Sequence, residues 1–233
     1  MGEEVVYEAY VEMQPDGSCL AQLLDLPGCF GRGPDEASAL AALSASIPQY
    51  YAWLRDHDEY TPEVQGPFTV TPKQVERVQI INGRLVGAFF AREDEAATSE
   101  DLDWMLALLD WAYSDLQGLL AAFPAGALEH LGPNGLKPQS IAERAAQEQL
   151  WLVSRIELHP TVPRIEQLPG TALDRLRQVW QASIHRLRGT SDEERERILE
   201  HDGERWSVRK VLRRSVLHAR TQLMHASHFT ETA

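Results

Sequence analysis

Cysteine is scarce in this sequence: Cys19 and Cys29 are the only two among 233 residues. They lie in a short apolar stretch without CxxC spacing or neighbouring histidines, so neither a zinc motif nor a redox pair is expected, only two buried thiols. Positive charge is also in the minority. Lysine and arginine together number 22 against 35 acidic residues, a formal net charge of -13, and that sign opposes a nucleic-acid backbone and an anionic membrane surface. No run approaches the roughly 20 apolar residues needed to span a bilayer. Met1-Gly2-Glu3-Glu4 lacks the basic start and apolar core of a secretory signal. The expectation is a cytoplasmic protein with no nucleic-acid or membrane partner. A Gly-rich phosphate loop, a Gly-x-Ser-x-Gly elbow and a His-Glu-x-x-His helix are missing as well, which removes the usual sequence marks of nucleotide, serine-hydrolase and zinc-protease chemistry.

What is present is ordinary globular material, 43% hydrophobic and 24% charged, enough for one large domain or two small ones. Val5–Met13 is rich in β-branched and aromatic residues and ends at Pro15-Asp16-Gly17-Ser18, so it predicts a strand and a tight turn. A second strand follows from Cys19 to Leu24. Asp25-Leu26-Pro27-Gly28-Cys29 and the Gly31-x-Gly33 pair predict a bent loop and a short third strand. From Pro34-Asp35-Glu36 to about His57 the apolar residues take helical spacing, with Pro48 expected to kink or restart the helix.

This succession of strand, Asp-Gly turn, strand, Asp-Leu-Pro-Gly-Cys string, Gly-x-Gly and acidic helix start resembles the HicB-like antitoxin-type domain over about the first 60 residues. The resemblance implies a fold-shaping role for those residues and a possible toxin-like protein partner. Residues Tyr60 to Pro72 read as a proline-rich linker. Val75–Ile81 and Arg84–Phe90 around Asn82-Gly83 predict a β-hairpin, too apolar to stand alone in water and expected to extend or cover the first sheet. Such a hairpin should also hold the two halves of the chain together as one cooperative structure.

The second half is helical. Thr98-Ser99-Glu100-Asp101 offers an N-cap for an amphipathic helix that ends near Phe123-Pro124. Further helices are predicted from about Gln139-Ser140 through Ile156 until His159-Pro160 stops the helix, from Ala172 to Leu187, and from Ser207, as cap, to about His228. Asp192–Glu200 reads as an exposed, salt-bridged stretch. Trp104, Trp111, Trp151 and Trp180 fall among Leu and Ile at helical spacing, which makes them core rather than a stacking platform.

Ser140-Ile141-x-Glu143 with Trp151–Ile156, and Trp206-Ser207-Val208-Arg209-Lys210-Val211-Leu212-Arg213-Arg214 with His218 and Arg220, resemble two helices of the DinB/YfiT-like superfamily, over about Thr98 to Phe229. The fold expectation is therefore α+β: a HicB-like module over 1–66, a linker and hairpin over 67–97, and an antiparallel four-helix bundle of DinB-like type over 98–233. In that superfamily three histidines commonly hold a divalent metal, two of them four residues apart on the last helix. Here His218 matches the first of that pair and Gln222 stands at the second, while Arg144 or Gln147 occupies the facing position. An amide is a weak zinc or nickel ligand and a guanidinium opposes a cation, so no cofactor is expected.

The implied cleft, lined by Arg144, Gln147, Arg214, His218 and Gln222, points to a non-catalytic protein that binds a small anionic ligand or a partner. Two readings compete with it: a metal-dependent hydrolase or thiol S-transferase using His218, and a HicB-like antitoxin-type partner protein. A homodimer is expected by analogy with such bundles.

Overall fold

The computed structural model describes residues 5–61, 68–81, 83–123 and 137–230, with the side chains of 228–230 excepted. The chain is α+β and divides into two compact units, one of residues 1–92 with 202–204 and the other of residues 93–201 with 205–233.

In the first unit β1 (Val5–Met13), β2 (Cys19–Leu23), β3 (Phe30–Gly33) and β4 (Phe68–Arg77) form a mixed sheet in the order β3-β2-β1-β4, with β1 antiparallel to β2 and parallel to β4. The first turn is built as its residues dictate: Asp16 accepts from the Ser18 amide, and Gly17 takes φ 90. The Asp25–Cys29 string contains a type II arrangement, with Pro27 in its second position, Gly28 at φ 87 in its third, and the Cys29 amide bonded to the Leu26 carbonyl. Tyr50 anchors this turn by donating to the Pro27 carbonyl at 2.8 Å.

Helix α1 (Glu36–Asp56) covers one face of the sheet and is capped by Asp35. It approaches because the cross-strand row Val11, Ala21, Gly31 shrinks to nothing: a Cβ on Gly31 would fall 2.1 Å from the Leu43 nitrogen. Pro48 sits inside α1, which does not restart there. Tyr50, Tyr51, Trp53 and Leu54 beyond it are all buried, and that packing holds the second half in line.

The stretch read as linker up to Pro72 is shorter than expected, since β4 begins at Phe68. The predicted hairpin is correspondingly smaller. Its Val75–Arg77 portion belongs to β4, and only β5 (Gln79–Ile81) pairs with β6 (Arg84–Val86), Asn82 lying outside the described residues. The other face of the sheet is covered as anticipated: Val78, Ala88 and Phe90 pack with Tyr10 and Leu24, and the Tyr10 and Phe90 rings meet edge-on at 5.2 Å. Ile80 does not join them and is 60% exposed.

The second unit contains α2 (Ser99–Ala121), α3 (Pro138–Ser154), α4 (Ala172–Arg188), α5 (Asp192–Glu196) and α6 (Val208–Thr230). Thr98, Thr171 and Ser191 each close a reciprocal capping box with the acid three residues on, and Ser207 accepts from the Lys210 amide at the head of α6. Helix α2 packs on α4 and α6, and α3 packs on the same two. The stretch read as exposed and salt-bridged, Asp192–Glu200, has no buried residue and carries the Arg195–Asp192 and Arg197–Glu193 pairs; it forms α5 and enters β7 (Leu199–His201), which pairs with β8 (Glu204–Trp206) around Asp202-Gly203, both at positive φ. No described helix is long and apolar enough to cross a membrane.

Candidate functional site

The inward stripe of α6 should be apolar, yet it is not. Val211 is followed at helical spacing by Ser215, His218 and Gln222, of which Ser215 is fully buried and Gln222 nearly so. The His218 ring donates to the carbonyl oxygen of Ala145 on α3. Its Nε2 is sealed from solvent and meets no partner, which assigns the proton to Nδ1 and leaves Nε2 with a bare lone pair. Burial pushes the imidazole pKa down to about 3. The guanidiniums of Arg214 and Arg144 and the ring of His225 push the same way, and the Ala145 bond opposes them only in part. His218 is therefore a neutral acceptor at any physiological pH.

Ala145 also receives the hydroxyl of Tyr113 from α2, at 3.3 Å, and the same hydroxyl lies 3.4 Å from Oε1 of Gln149, one turn further along α3. Tyr113 is fully buried, and burial followed by the charge of Glu148 raises its phenol far above the ordinary value, so it stays a donor. Its ring stacks against Trp180 of α4 with centroids 6.4 Å apart. One carbonyl thus ties α2, α3 and α6 together, with α4 alongside.

Around this hub polar atoms lack partners. Nε2 of Gln149, Nε1 of Trp180, Oγ of Ser215, Nε2 of His218 and Oε1 of Gln222 are all buried without a hydrogen bond. Each such atom costs on the order of 1–3 kcal/mol, and folded proteins leave few of them. Helices α3 and α6 run in opposite directions, since Trp151 near the end of α3 meets Trp206 just before α6 at 5.2 Å, while Ala145 meets His218. Gln149 and Ser215 consequently lie on one side of the His218 layer and Gln222 on the other, one helical turn or about 5 Å away.

The sequence-named residues divide. His218, Gln222 and Arg214 belong to this neighbourhood, the Arg214 guanidinium lying over Trp151 and Trp206 at 5.7 and 5.3 Å. Arg144 is exposed and reaches His218 only through its charge. Gln147 is occupied elsewhere: its Oε1 accepts from the Ile165 amide at 3.0 Å and its Nε2 donates to the Pro163 carbonyl at 3.3 Å, clamping the connection that follows α3. The sequence reading missed Tyr113, Gln149, Trp180 and Ser215 as members. Gln149 carries a legible signal, because it interrupts the buried series Ile141, Ala142, Ala145, Ala146, Leu152.

At the head of α6 the positive charges are held in place. Arg209 binds both carboxylate oxygens of Asp101, and Arg213 forms a buried ion pair with Glu93 at 2.6 Å. Lys210 lies 4.5 Å from the Trp206 ring centre and donates to the Arg205 carbonyl.

The donors do not fit a divalent metal. His218 supplies one suitable lone pair, but its neighbours are amides, a hydroxyl and an indole, with two guanidiniums close by. Among the described residues no three His, Cys, Asp or Glu side chains come together as a metal-binding group. His225 is exposed, and His130 and the His228 side chain lie outside the described residues. Comparison with profiles of known protein families, with curated proteins and with solved structures returned no match.

Proposed function

We infer that this chain is a non-catalytic small-molecule-binding protein, and that its binding site lies inside the helical unit around His218. In this reading α2, α3, α4 and α6 form an antiparallel four-helix bundle of DinB-like type that has exchanged a metal triad for hydrogen-bonding side chains, and the first unit is a HicB-like module. One observation carries the binding role: inward positions of α3, α4 and α6 hold buried polar atoms with nothing to bond to. A fold that kept these positions only for packing would fill them with Leu or Met at lower cost. A ligand that bonds to them turns that cost into affinity.

A thermal-shift screen of the full chain against small carboxylates, phosphates, amides and amines tests this. At least one class is expected to raise the melting temperature by several degrees, since a ligand at 100 times its dissociation constant adds about 2.7 kcal/mol. The shift should vanish in Gln222→Met. A screen without any shift, or shifts that persist undiminished in that variant, would remove the reading.

A further inference from the structure

The polarity of the unpaired atoms restricts what can satisfy them. With Nδ1 donating to Ala145, His218 offers Nε2 only as an acceptor, and Oε1 of Gln222 one turn along α6 is an acceptor too. A carboxylate or phosphate brings no proton to either, and its oxygens would be repelled by both lone pairs. An ammonium or amidinium brings protons but also a charge, against the guanidiniums of Arg214 and Arg144, whose fields already act on the His218 ring. The complementary group is therefore uncharged and rich in N–H.

Gln149 supplies the opposite polarity. Its Oε1 shares the Tyr113 hydroxyl proton with the Ala145 carbonyl, and in this orientation of the amide Nε2 is a buried donor without a partner. Ser215 Oγ, fully buried on the same side of the His218 layer, can serve either way. Acceptor and donor thus lie about one helical turn apart across α3 and α6. The stacked rings of Tyr113 and Trp180 adjoin this group through the Tyr113 hydroxyl and make its surroundings apolar and aromatic.

Granting that the helical unit binds a small molecule, we propose that its ligand is a neutral carboxamide or ureide, whose N–H donates to His218 Nε2 and whose carbonyl accepts from Gln149 Nε2. The arginines of the cleft, Arg144 and Arg214, suggest an anion from sequence; the hydrogen-bond directions select an amide instead. Satisfying buried polar atoms of both senses with one planar group is how a site rejects a ligand that lacks one of them.

Benzamide, benzoate and benzamidine share a ring and differ in the charge and donors of one substituent, so calorimetric titration of the full chain with each separates the classes. Benzamide is expected to bind at least tenfold more tightly than the other two and to move the His218 Nε2 resonance in a nitrogen-15 spectrum. His218→Phe, which keeps the ring and removes the lone pair, should weaken benzamide at least tenfold, and Gln149→Met provides the same comparison should the first variant not fold. If benzoate or benzamidine binds best and loses affinity on the same substitution, the carboxamide class is overturned while the binding reading stands. If none of the three binds and the Nε2 resonance stays fixed in their presence, the carboxamide class is overturned outright, and the thermal-shift screen alone decides the binding reading.

Discussion

His218 combines a neutral imidazole, a fixed tautomer and a buried lone pair, and each follows from its neighbours rather than from its own chemistry. The sequence made it a candidate through its place on the last helix, but could not show which nitrogen would be free, since the Ala145 carbonyl that decides this comes from another helix. The same residue dictates a pH response. In the unfolded chain a histidine titrates near 6.5, whereas the folded His218 stays unprotonated down to about 3. Its folded pKa is depressed, so the associated stability is fully present above pH 6.5 and is lost as the pH falls toward 3, because the unfolded state takes up a proton the folded state refuses. The slope can reach about 1.4 kcal/mol per pH unit. Asp101 and Asp174, both held below the ordinary carboxylate range, add to the loss only below about pH 4. Denaturant unfolding between pH 6.5 and 4.5 should therefore show a steeper decline in the natural chain than in His218→Phe. Parallel curves would mean that His218 is not held neutral by its surroundings.

At the level of elements, the sequence was legible wherever a local signal sufficed. β1 to β3, α1 and the capped helices fall close to where turn residues, capping side chains and apolar spacing put them. β4 was obscured because Pro72 reads as a breaker; it is tolerated in an edge strand, and the ladder skips a residue beside it, at Lys73. The β7–β8 turn carried a usable Asp202-Gly203 signal, masked by the charge density before it. Gln149 and Ser215 were hidden for a different reason, because a polar residue on a helix stripe gains meaning only when the facing helix is known. Packing gives the element-scale prediction. A methyl group at Gly31 would meet the backbone of α1 at Leu43 and Ala39, so Gly31→Ala should cost about 3 kcal/mol by forcing the helix off the sheet. Gly17, at φ 90 with open space around it, should lose only about 1–2 kcal/mol on the same change, through backbone strain alone. Equal effects in chemical denaturation would show that close approach is not what Gly31 provides.

For the whole molecule, the proposed binding role sets stability against ligand contact within the helical unit. Its helix ends are built for stability, with three reciprocal capping boxes and the Arg209–Asp101 fork at the head of α6. Its interior, by contrast, keeps Ser215, Gln149 and Gln222 where leucine-sized side chains would pack. Natural proteins accept such losses at positions that function requires. The unfolding free energy of ligand-free Gln222→Met, measured beside the natural chain, tests that trade most directly. Methionine matches glutamine in length and removes the unpaired Oε1, so the variant is predicted to be more stable by about 1 kcal/mol while binding is lost. A variant less stable than the natural chain would show that Gln222 is satisfied within the fold, and would contradict a site kept open for a ligand.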